Sequence, residues 1–346
     1  MYTERVSSTT KYLPQGLLWI ASSYLVVVTV LWSLMTYVGE QWWLTTVLLF
    51  APRWMVALPL LVLVPLAVWR DRRALIPLAL AGTVVAVLFM GFNIPLNRHS
   101  GIDKGKAKTL RVFSYNIQGG MVNAEEFSAF LQQSAVDIVA LQECPEEYKL
   151  PLPQGWYSAK KRGLAIMSRY PIRSVTPVEV LQPQDQWPGT YLLQAVIQAP
   201  EADVAFCSLH LPSPRFGLQA VLDKTTLFRP SRKGVLEKEL FGRRFVADKL
   251  YYHIKNLKLP VIIAGDFNTT VDSSLFRQFW SGFNNAFSAT GWGYGWTQRV
   301  SVRGLPLKAR IDHILTGTGL TPLSSAIGPD LGSDHLPLIA VVAYGR

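Results

Sequence analysis

Leu259 to Asn268 reads LPVIIAGDFN. Pro260 and Gly265 bracket the apolar run Val261, Ile262, Ile263 and Ala264, the pattern of a short strand buried on both faces. Asp266 and Asn268 stand where that strand ends, and a strand end on a rigid sheet holds a reactive group in a fixed place. The arrangement recurs along the chain: Ser114-Tyr115-Asn116, Leu141-Gln142-Glu143, Ser208-Leu209-His210, Ile311-Asp312-His313 and Ser333-Asp334-His335 each end or follow an apolar run. Singly, each has a structural reading. Asn116 caps a turn, Glu143 is an exposed strand end, His210 is a core histidine, and Gly265 with Asp266 is a turn. Six sets together, holding three of the five histidines, point instead to one pocket.

Around these sets the pattern is of short β-rich runs separated by turns. Strands are expected at 110–116, 137–142, 163–168, 191–198, 204–210, 261–265, 311–315 and 338–343, and helices at 124–134, 236–257 and 274–281. Strand-rich runs with a few interposed helices argue an α+β sandwich. Cys144 and Cys207 end apolar runs and are too few for a disulfide framework or a Cys-rich zinc site; they are read as buried thiols, with a single bridge as the alternative.

The first hundred residues have a different character. Charged residues make up only 16% of the chain, against about 25% in soluble domains, and the deficit is concentrated here. Between Gly16 and Asn97 only Glu40, Arg53, Arg70, Asp71, Arg72 and Arg73 are charged, which excludes a fully soluble or a largely disordered chain. Residues 16–38 and 74–96 are uncharged and long enough to span a bilayer, which takes about 20 residues. Residues 42–69 contain Pro52 and Arg53; they span from about 53 to 69, or begin with an interfacial piece at 42–51. Residues 16–38 exceed the apolar core of a signal peptide and are read as a retained span. Arg5, Lys11 and the cluster Arg70, Arg72 and Arg73 place the N-terminus and the second loop in the cytoplasm by the positive-inside rule. The expected organisation is a cytoplasmic N-terminus at 1–15, a transmembrane region of three helices at 16–97, a linker at 98–108, and an extracytoplasmic catalytic domain at 109–346.

Lys and Arg number 34 against 23 Asp and Glu, a net charge of +11. Residues 1–100 hold seven and three of these and residues 101–346 hold 27 and 20, so the soluble part carries +7. Such a balance beside a membrane suggests anionic partners. Residues 224–249 concentrate eight Lys/Arg against three Asp/Glu, interleaved with apolar residues. Arg232, Lys233, Arg243 and Arg244 are therefore expected to contact an anionic membrane or substrate, the alternative being a solvated helix packed on the sandwich.

The ordered set SYNI, LQE, SLHL, GDFN, IDHI and SDH resembles the endonuclease/exonuclease/phosphatase superfamily, the DNase I-like group that also includes inositol polyphosphate phosphatases and neutral sphingomyelinases. The resemblance covers about residues 110–344 and implies a four-layer sandwich of two packed β-sheets flanked by helices. It implies a Mg²⁺-dependent phosphoesterase, with Mn²⁺ as the alternative ion. Glu143 resembles the principal metal ligand, with Asn116 and Asp334 beside it. Asp266 resembles the residue that orients or deprotonates the attacking water, and Asn268 and His210 resemble donors to the phosphoryl group or leaving oxygen. His335 resembles the catalytic histidine and Asp312 the carboxylate that orients it. His313 stands where many members carry an aromatic residue and is read as support. These types suit the chemistry: a hard cation takes oxygen ligands, and a carboxylate-paired imidazole has its tautomer fixed.

Three spans before such a domain, with HLPSPRFGLQ at 210–219, resemble the membrane phosphatases associated with vancomycin and teicoplanin resistance. That narrower resemblance implies a lipid-linked phosphate or phospholipid-type substrate outside the cytoplasm and a lipid bilayer as partner. A membrane-anchored nuclease acting on nucleic acid is one alternative, and a catalytically inactive binding module of the same fold is the other.

Overall fold

Apolar helices come first. The computed structural model describes residues 9–95, 107–183, 189–222, 231–302 and 304–344. Helix α1 (Thr9–Tyr37) is followed by the short α2 (Trp43–Phe50), then by α3 (Leu58–Arg70) and α4 (Leu75–Thr83), which continues as a π-helical turn over Val84–Phe89. Three helical segments, Gln15–Tyr37, Arg53–Arg70 and Arg72–Phe89, are long and apolar enough to cross a membrane. Small residues, Ala21, Ala67, Ala74 and Ala81, are fully buried where these helices meet, allowing close backbone approach as in membrane bundles. Their outer faces are bare: Leu61 is 72% exposed, and Trp19, Val62, Trp69 and Ile76 are exposed as well. The predicted linker at 98–108 falls almost wholly outside the described residues.

Two six-stranded sheets follow, each built around one parallel pair. In the first, β1 (Thr109–Asn116) lies parallel to β2 (Ile138–Cys144), with the crossover made by α5 (Ala124–Gln133). Asn123 caps that helix, its side chain accepting from the N–H groups of Glu125 and Glu126. Antiparallel strands complete the sheet: β3 (Tyr157–Lys161), β4 (Gly163–Ser168), β13 (Leu320–Ile327) and β14 (Leu338–Tyr344), in the order β13-β14-β1-β2-β4-β3. In the second, β7 (Asp203–His210) lies parallel to β8 (Val261–Asp266), with α6 (Arg215–Leu222) and α7 (Ser231–Lys255) between them. Its order is β5-β6-β7-β8-β12-β9, adding β5 (Ile172–Val180), β6 (Gly189–Gln198), β12 (Asp312–Thr316) and β9 (Asn284–Asn285). A separate hairpin pairs β10 (Gln298–Val302) with β11 (Leu305–Ala309).

The two sheets pack face to face. Val112, Ile138, Ala140 and Ile166 of the first meet Ala195, Phe206, Ile262 and Ile314 of the second. The outer face of the first sheet is covered by α5 through Phe127 and Leu131, and that of the second by α7 and α8 (Ser274–Phe279) through Val246, Leu250 and Phe276. This is the expected four-layer sandwich. Burial on both faces is why VIIA at 261–264 and IVAL at 138–141 are apolar throughout and do not alternate. Both cysteines are buried and free.

Candidate active site

The site forms where the two parallel pairs end side by side. Asn116 closes β1, Glu143 lies near the end of β2, His210 closes β7 and Asp266 closes β8. Side chains alternate along a strand. Ile262 and Ala264 therefore send Asp266 between the sheets, as Phe206 and Ser208 do for His210. By the same count Glu143 should point away from the site, because Val139 and Leu141 face α5. A β-bulge between Leu141 and Cys144 overrides the count: Glu143 adopts φ 50° and turns toward Asn116. Gln118 and Asn268 also have positive φ, so three of the five such non-glycine residues described lie at this site. Gly265 is required for a different reason: a Cβ there would stand 1.9 Å from the Leu209 carbonyl oxygen on the neighbouring strand.

The distances make one pocket. The Asn116 amide donates to Glu143 Oε1 at 3.1 Å and to Asp266 Oδ2 at 3.0 Å. His210 Nε2 lies 3.6 Å from Asp266 Oδ2 and 3.9 Å from Glu143 Oε1. Asn268 donates its backbone N–H to Asp266 Oδ1 at 2.8 Å, and its amide to Asp266 Oδ2 at 3.2 Å. His335 Nδ1 donates to Asp312 Oδ2 at 2.8 Å, which leaves Nε2 on the pocket side, 3.9 Å from Asp266 Oδ2 and 3.4 Å from the Gln298 side-chain amide. Asp334 is half-buried beside His335, its backbone N–H held by Gln118 Oε1 at 3.0 Å.

Burial and neighbouring charge then separate the protonation states. Burial and the like charge of Asp312 raise the Asp266 pKa, against the pull of His335 and His210. Burial alone would lower the His335 pKa, but the carboxylate of Asp312, with those of Asp266 and Asp334, outweighs it and pushes the imidazole up to about 10. His335 is therefore a cation at neutral pH, oriented by a carboxylate. Burial raises the Asp334 pKa, helped by the charges of Glu143 and Asp266 and opposed by His335.

The donor set suits a divalent ion. Among the described residues neither Glu143 nor Asp266 is paired with a Lys or Arg, and the Glu143 side chain is 43% exposed to the pocket mouth. An oxygen-rich cluster without a cation of its own fits Mg²⁺ or Mn²⁺. Asp266, Asp312 and His335 are the tightest cluster of ligand atoms, within 4.8 Å of one another. Their closeness comes from the His335–Asp312 hydrogen bond, which occupies His335 Nδ1 and one Asp312 oxygen. The carboxylates of Glu143 and Asp334 suit an ion better; Asn116 turns its amide N–H groups to the carboxylates, and its Oδ1 accepts from the Gln118 N–H at 3.0 Å.

His313 lies on the other face of β12, as alternation from Asp312 requires. It is buried between Phe267 and Phe276, with Nε2–H donating to the Thr269 carbonyl at 2.9 Å and Nδ1 accepting from Asn285. Burial pushes its pKa down to about 3, so it stays neutral.

Several supports carry no motif of their own. Thr297 Oγ1 accepts from the N–H groups of Ile311 and Asp312 at 3.2 and 3.1 Å, fixing the start of β12. Ser333 Oγ donates to the Asn116 carbonyl and accepts from the His335 N–H, tying the two chain segments together.

The expectation for Arg243 is corrected. It is 1% exposed and cannot touch a membrane surface or substrate. Its guanidinium donates to the Glu40 carboxylate at 2.8 Å, to the Asn268 carbonyl at 3.0 Å and to the Pro212 carbonyl. Glu40, the one acidic residue between the first two apolar stretches, was the available signal, since a carboxylate there needs a partner. Arg244 is exposed and bonds to Gln278. The side chains of Arg232 and Lys233, and residues 223–230 of the basic stretch, lie outside the described part.

Two mixed sheets flanked by helices, with acidic and imidazole groups gathered at the ends of their parallel strands, define a phosphoesterase-type sandwich. A profile of the Endonuclease/Exonuclease/phosphatase family matches residues 113–335, and the chain belongs to that family, whose members are phosphoester hydrolases, often metal-dependent. Similar solved structures include the endonuclease/exonuclease/phosphatase from Beutenbergia cavernae, at 15% identity and TM-score 0.48 over 69% of this chain and 72% of that one. A family protein from Bacteroides thetaiotaomicron shares 17% identity at TM-score 0.49, over 69% and 96% of the two chains. The 3′ phosphatase NExo from Neisseria shares 17% at TM-score 0.48, over 67% and 98%. No curated protein matches the chain.

Proposed function

We propose that the chain is a membrane-anchored, divalent-metal-dependent phosphoesterase that hydrolyses a lipid-linked phosphate or phospholipid-type phosphoester on the extracytoplasmic side. One observation carries the lipid part of this reading: the backbone leaving the site is bonded to the loops between the apolar helices. Arg243 links the Asn268 carbonyl to Glu40, and Arg53 holds Asp272 at 2.8 Å and Thr270 at 3.1 Å. A substrate phosphate at the bilayer surface would thus lie close to the pocket. Asn93 adds a third link, its amide donating to the carbonyls of Phe287 and Gly291.

The same packing supports the orientation. Glu40, Arg53 and Asn93 lie at the domain end of the helices, whereas Ala74 beside the Arg70–Arg73 cluster packs on Leu17 near the start of α1. The arginine-rich loop is then cytoplasmic and the domain is across the membrane. On this reading residues 16–97 are the membrane region and 109–346 the catalytic domain. The three-span arrangement is that of the resistance-associated membrane phosphatases.

In the proposed reaction Asp266, whose pKa is raised by burial and by the like charge of Asp312, accepts the proton of the attacking water. His335, as imidazolium, donates to a phosphoryl oxygen, and Asp312 fixes its orientation. As the O–P bond to water forms, the ester P–O bond breaks, and His210 would donate the proton to the leaving oxygen, while Asn268, held by Asp266 and the Leu211 carbonyl, lies beside the phosphoryl group. Glu143 and Asp334, with Asn116 beside them, would hold Mg²⁺ or Mn²⁺, which when bound neutralises charge on the phosphoryl oxygens.

The test uses the full chain in detergent with Mg²⁺ or Mn²⁺, offered polyprenyl phosphate, phospholipid, plasmid DNA and a DNA hairpin. Metal-dependent phosphate release or headgroup cleavage from the lipids, with intact DNA, is expected. DNA cleavage with intact lipids would replace this reading by the nuclease, and inertness toward all four would leave only a binding module.

A further inference from the structure

A cavity of about 690 Å³ lies between the apolar helices and the catalytic domain, within the ~300–1,000 Å³ of small-molecule sites. One wall is apolar and comes from the membrane side: Trp32, Leu49, Leu88 and Met90. The other comes from the domain and is cationic, with Lys308 and Arg310 on β11 and just beyond it. None of Asn116, Glu143, His210, Asp266, Asp312 or His335 lines it, so it is not the pocket described above.

The charges in this cavity do not balance. It is lined by Arg53, Lys308 and Arg310 against one carboxylate, Asp272, which is paired with Arg53 at 2.8 Å. Lys308 has no ion pair among the described residues; its ammonium lies over the Trp296 ring at 5.0 Å. Arg310 is only 8% exposed, with its guanidinium over the Phe287 ring at 5.0 Å. Its Nη1 is buried and makes no hydrogen bond. A buried guanidinium short of a partner is costly, and an anion in the cavity would compensate its charge. Burial lowers the Arg310 pKa to about 10, so the group keeps its charge at neutral pH. An apolar wall facing a guanidinium and an ammonium is complementary to an alkyl chain ending in an anion, and at a bilayer surface that anion is a phosphate.

We propose that this cavity binds a bilayer phospholipid as a resident ligand, with an acyl chain against Leu49, Leu88 and Met90 and its phosphate on Arg310 and Lys308. The lipid would join the helices to the domain at a place distinct from catalysis. This rests on the membrane reading of the helices and not on the proposed reaction.

The experiment measures binding of dodecyl phosphate, inorganic phosphate and dodecanol to the full chain by calorimetry, in a sterol-based detergent that has no alkyl chain. Dodecyl phosphate is expected to bind at least tenfold more tightly than either fragment. Arg310→Met should weaken it tenfold or more, and Leu88→Trp, which fills the cavity from the opposite wall, should do the same without touching the cation. Glu143→Gln, which alters the catalytic pocket alone, should leave the affinity unchanged. Equal affinity in the parent, Arg310→Met and Leu88→Trp proteins would overturn the proposal. So would inorganic phosphate binding as tightly as dodecyl phosphate, or a loss of affinity in Glu143→Gln, which would move the ligand to the catalytic pocket. A chain that hydrolyses no phosphoester would refute the reaction and leave this binding result standing.

Discussion

Replacing Arg243 by Met tests how the helices are coupled to the site. The guanidinium is almost wholly buried, and so is the Glu40 side chain it meets at 2.8 Å. Removing one partner of a buried pair leaves an uncompensated charge, which costs about 3–5 kcal/mol. The carbonyls of Asn268 and Pro212 lose their donor at the same time. Glu40→Gln is milder, because the guanidinium keeps both carbonyls, and about 1–3 kcal/mol is expected for one disturbed charged hydrogen bond. The double variant Glu40→Gln/Arg243→Met removes both charges and should recover about 2 kcal/mol relative to the sum of the single changes. The sign of the pH dependence is fixed as well. Burial already raises the Glu40 pKa, against the pull of Arg243. Without Arg243 it rises further, and an acid raised in the folded state contributes stability that is lost as pH rises through its folded pKa. Arg243→Met should therefore be more destabilised at pH 8 than at pH 5. Denaturant unfolding of the full chain in detergent, followed by tryptophan fluorescence, measures all four proteins. A loss below about 1 kcal/mol for Arg243→Met, or strict additivity in the cycle, would refute the ion pair as the link between apolar helices and site.

Four further outcomes are expected. Asp312→Asn should drop the His335 pKa from about 10, read by imidazole NMR, and slow turnover ~10²–10⁴-fold; wild-type stability carried by this raised imidazole is present below about pH 6.5 and lost as pH rises through about 10, and that slope should flatten in the variant. Gly265→Ala forces the Leu209 carbonyl away and should cost about 1–3 kcal/mol or more; an unaffected denaturation midpoint would count against the close approach of β7 and β8. Glu143→Gln, on a partly exposed side chain, should leave stability within about 0.5 kcal/mol while Mn²⁺ binding weakens in a calorimetric titration. A reporter fused after Arg346 should be active only outside the cytoplasm, and cytoplasmic activity would reverse the orientation.

The strands legible in the sequence are β1, β2, β4, β6, β7, β8, β12 and β14, every interior strand of the two sheets. The unread ones are β3, β5, β9 and β13, the four edges, together with the β10–β11 hairpin. The reason is solvent. Interior strands are covered on both faces and must be apolar, whereas edges carry prolines and polar residues, as in Ile172–Val180 with Pro177 and Leu320–Ile327 with Pro322. The candidate site was legible for the same reason: polar groups ending apolar runs stand out.

The polypeptide by itself determined the apolar helices, the sandwich and the identity of the groups that gather at the strand ends, because hydrophobic periodicity and local turn chemistry act over a few residues. Tertiary structure alone decided that Glu143 turns inward at a bulge, that Arg243 meets Glu40 and not a lipid surface, and that a cationic cavity separates the helices from the domain. Arg243 and Glu40 stand 203 positions apart, and the walls of the cavity farther still, so only the folded packing brings such partners together.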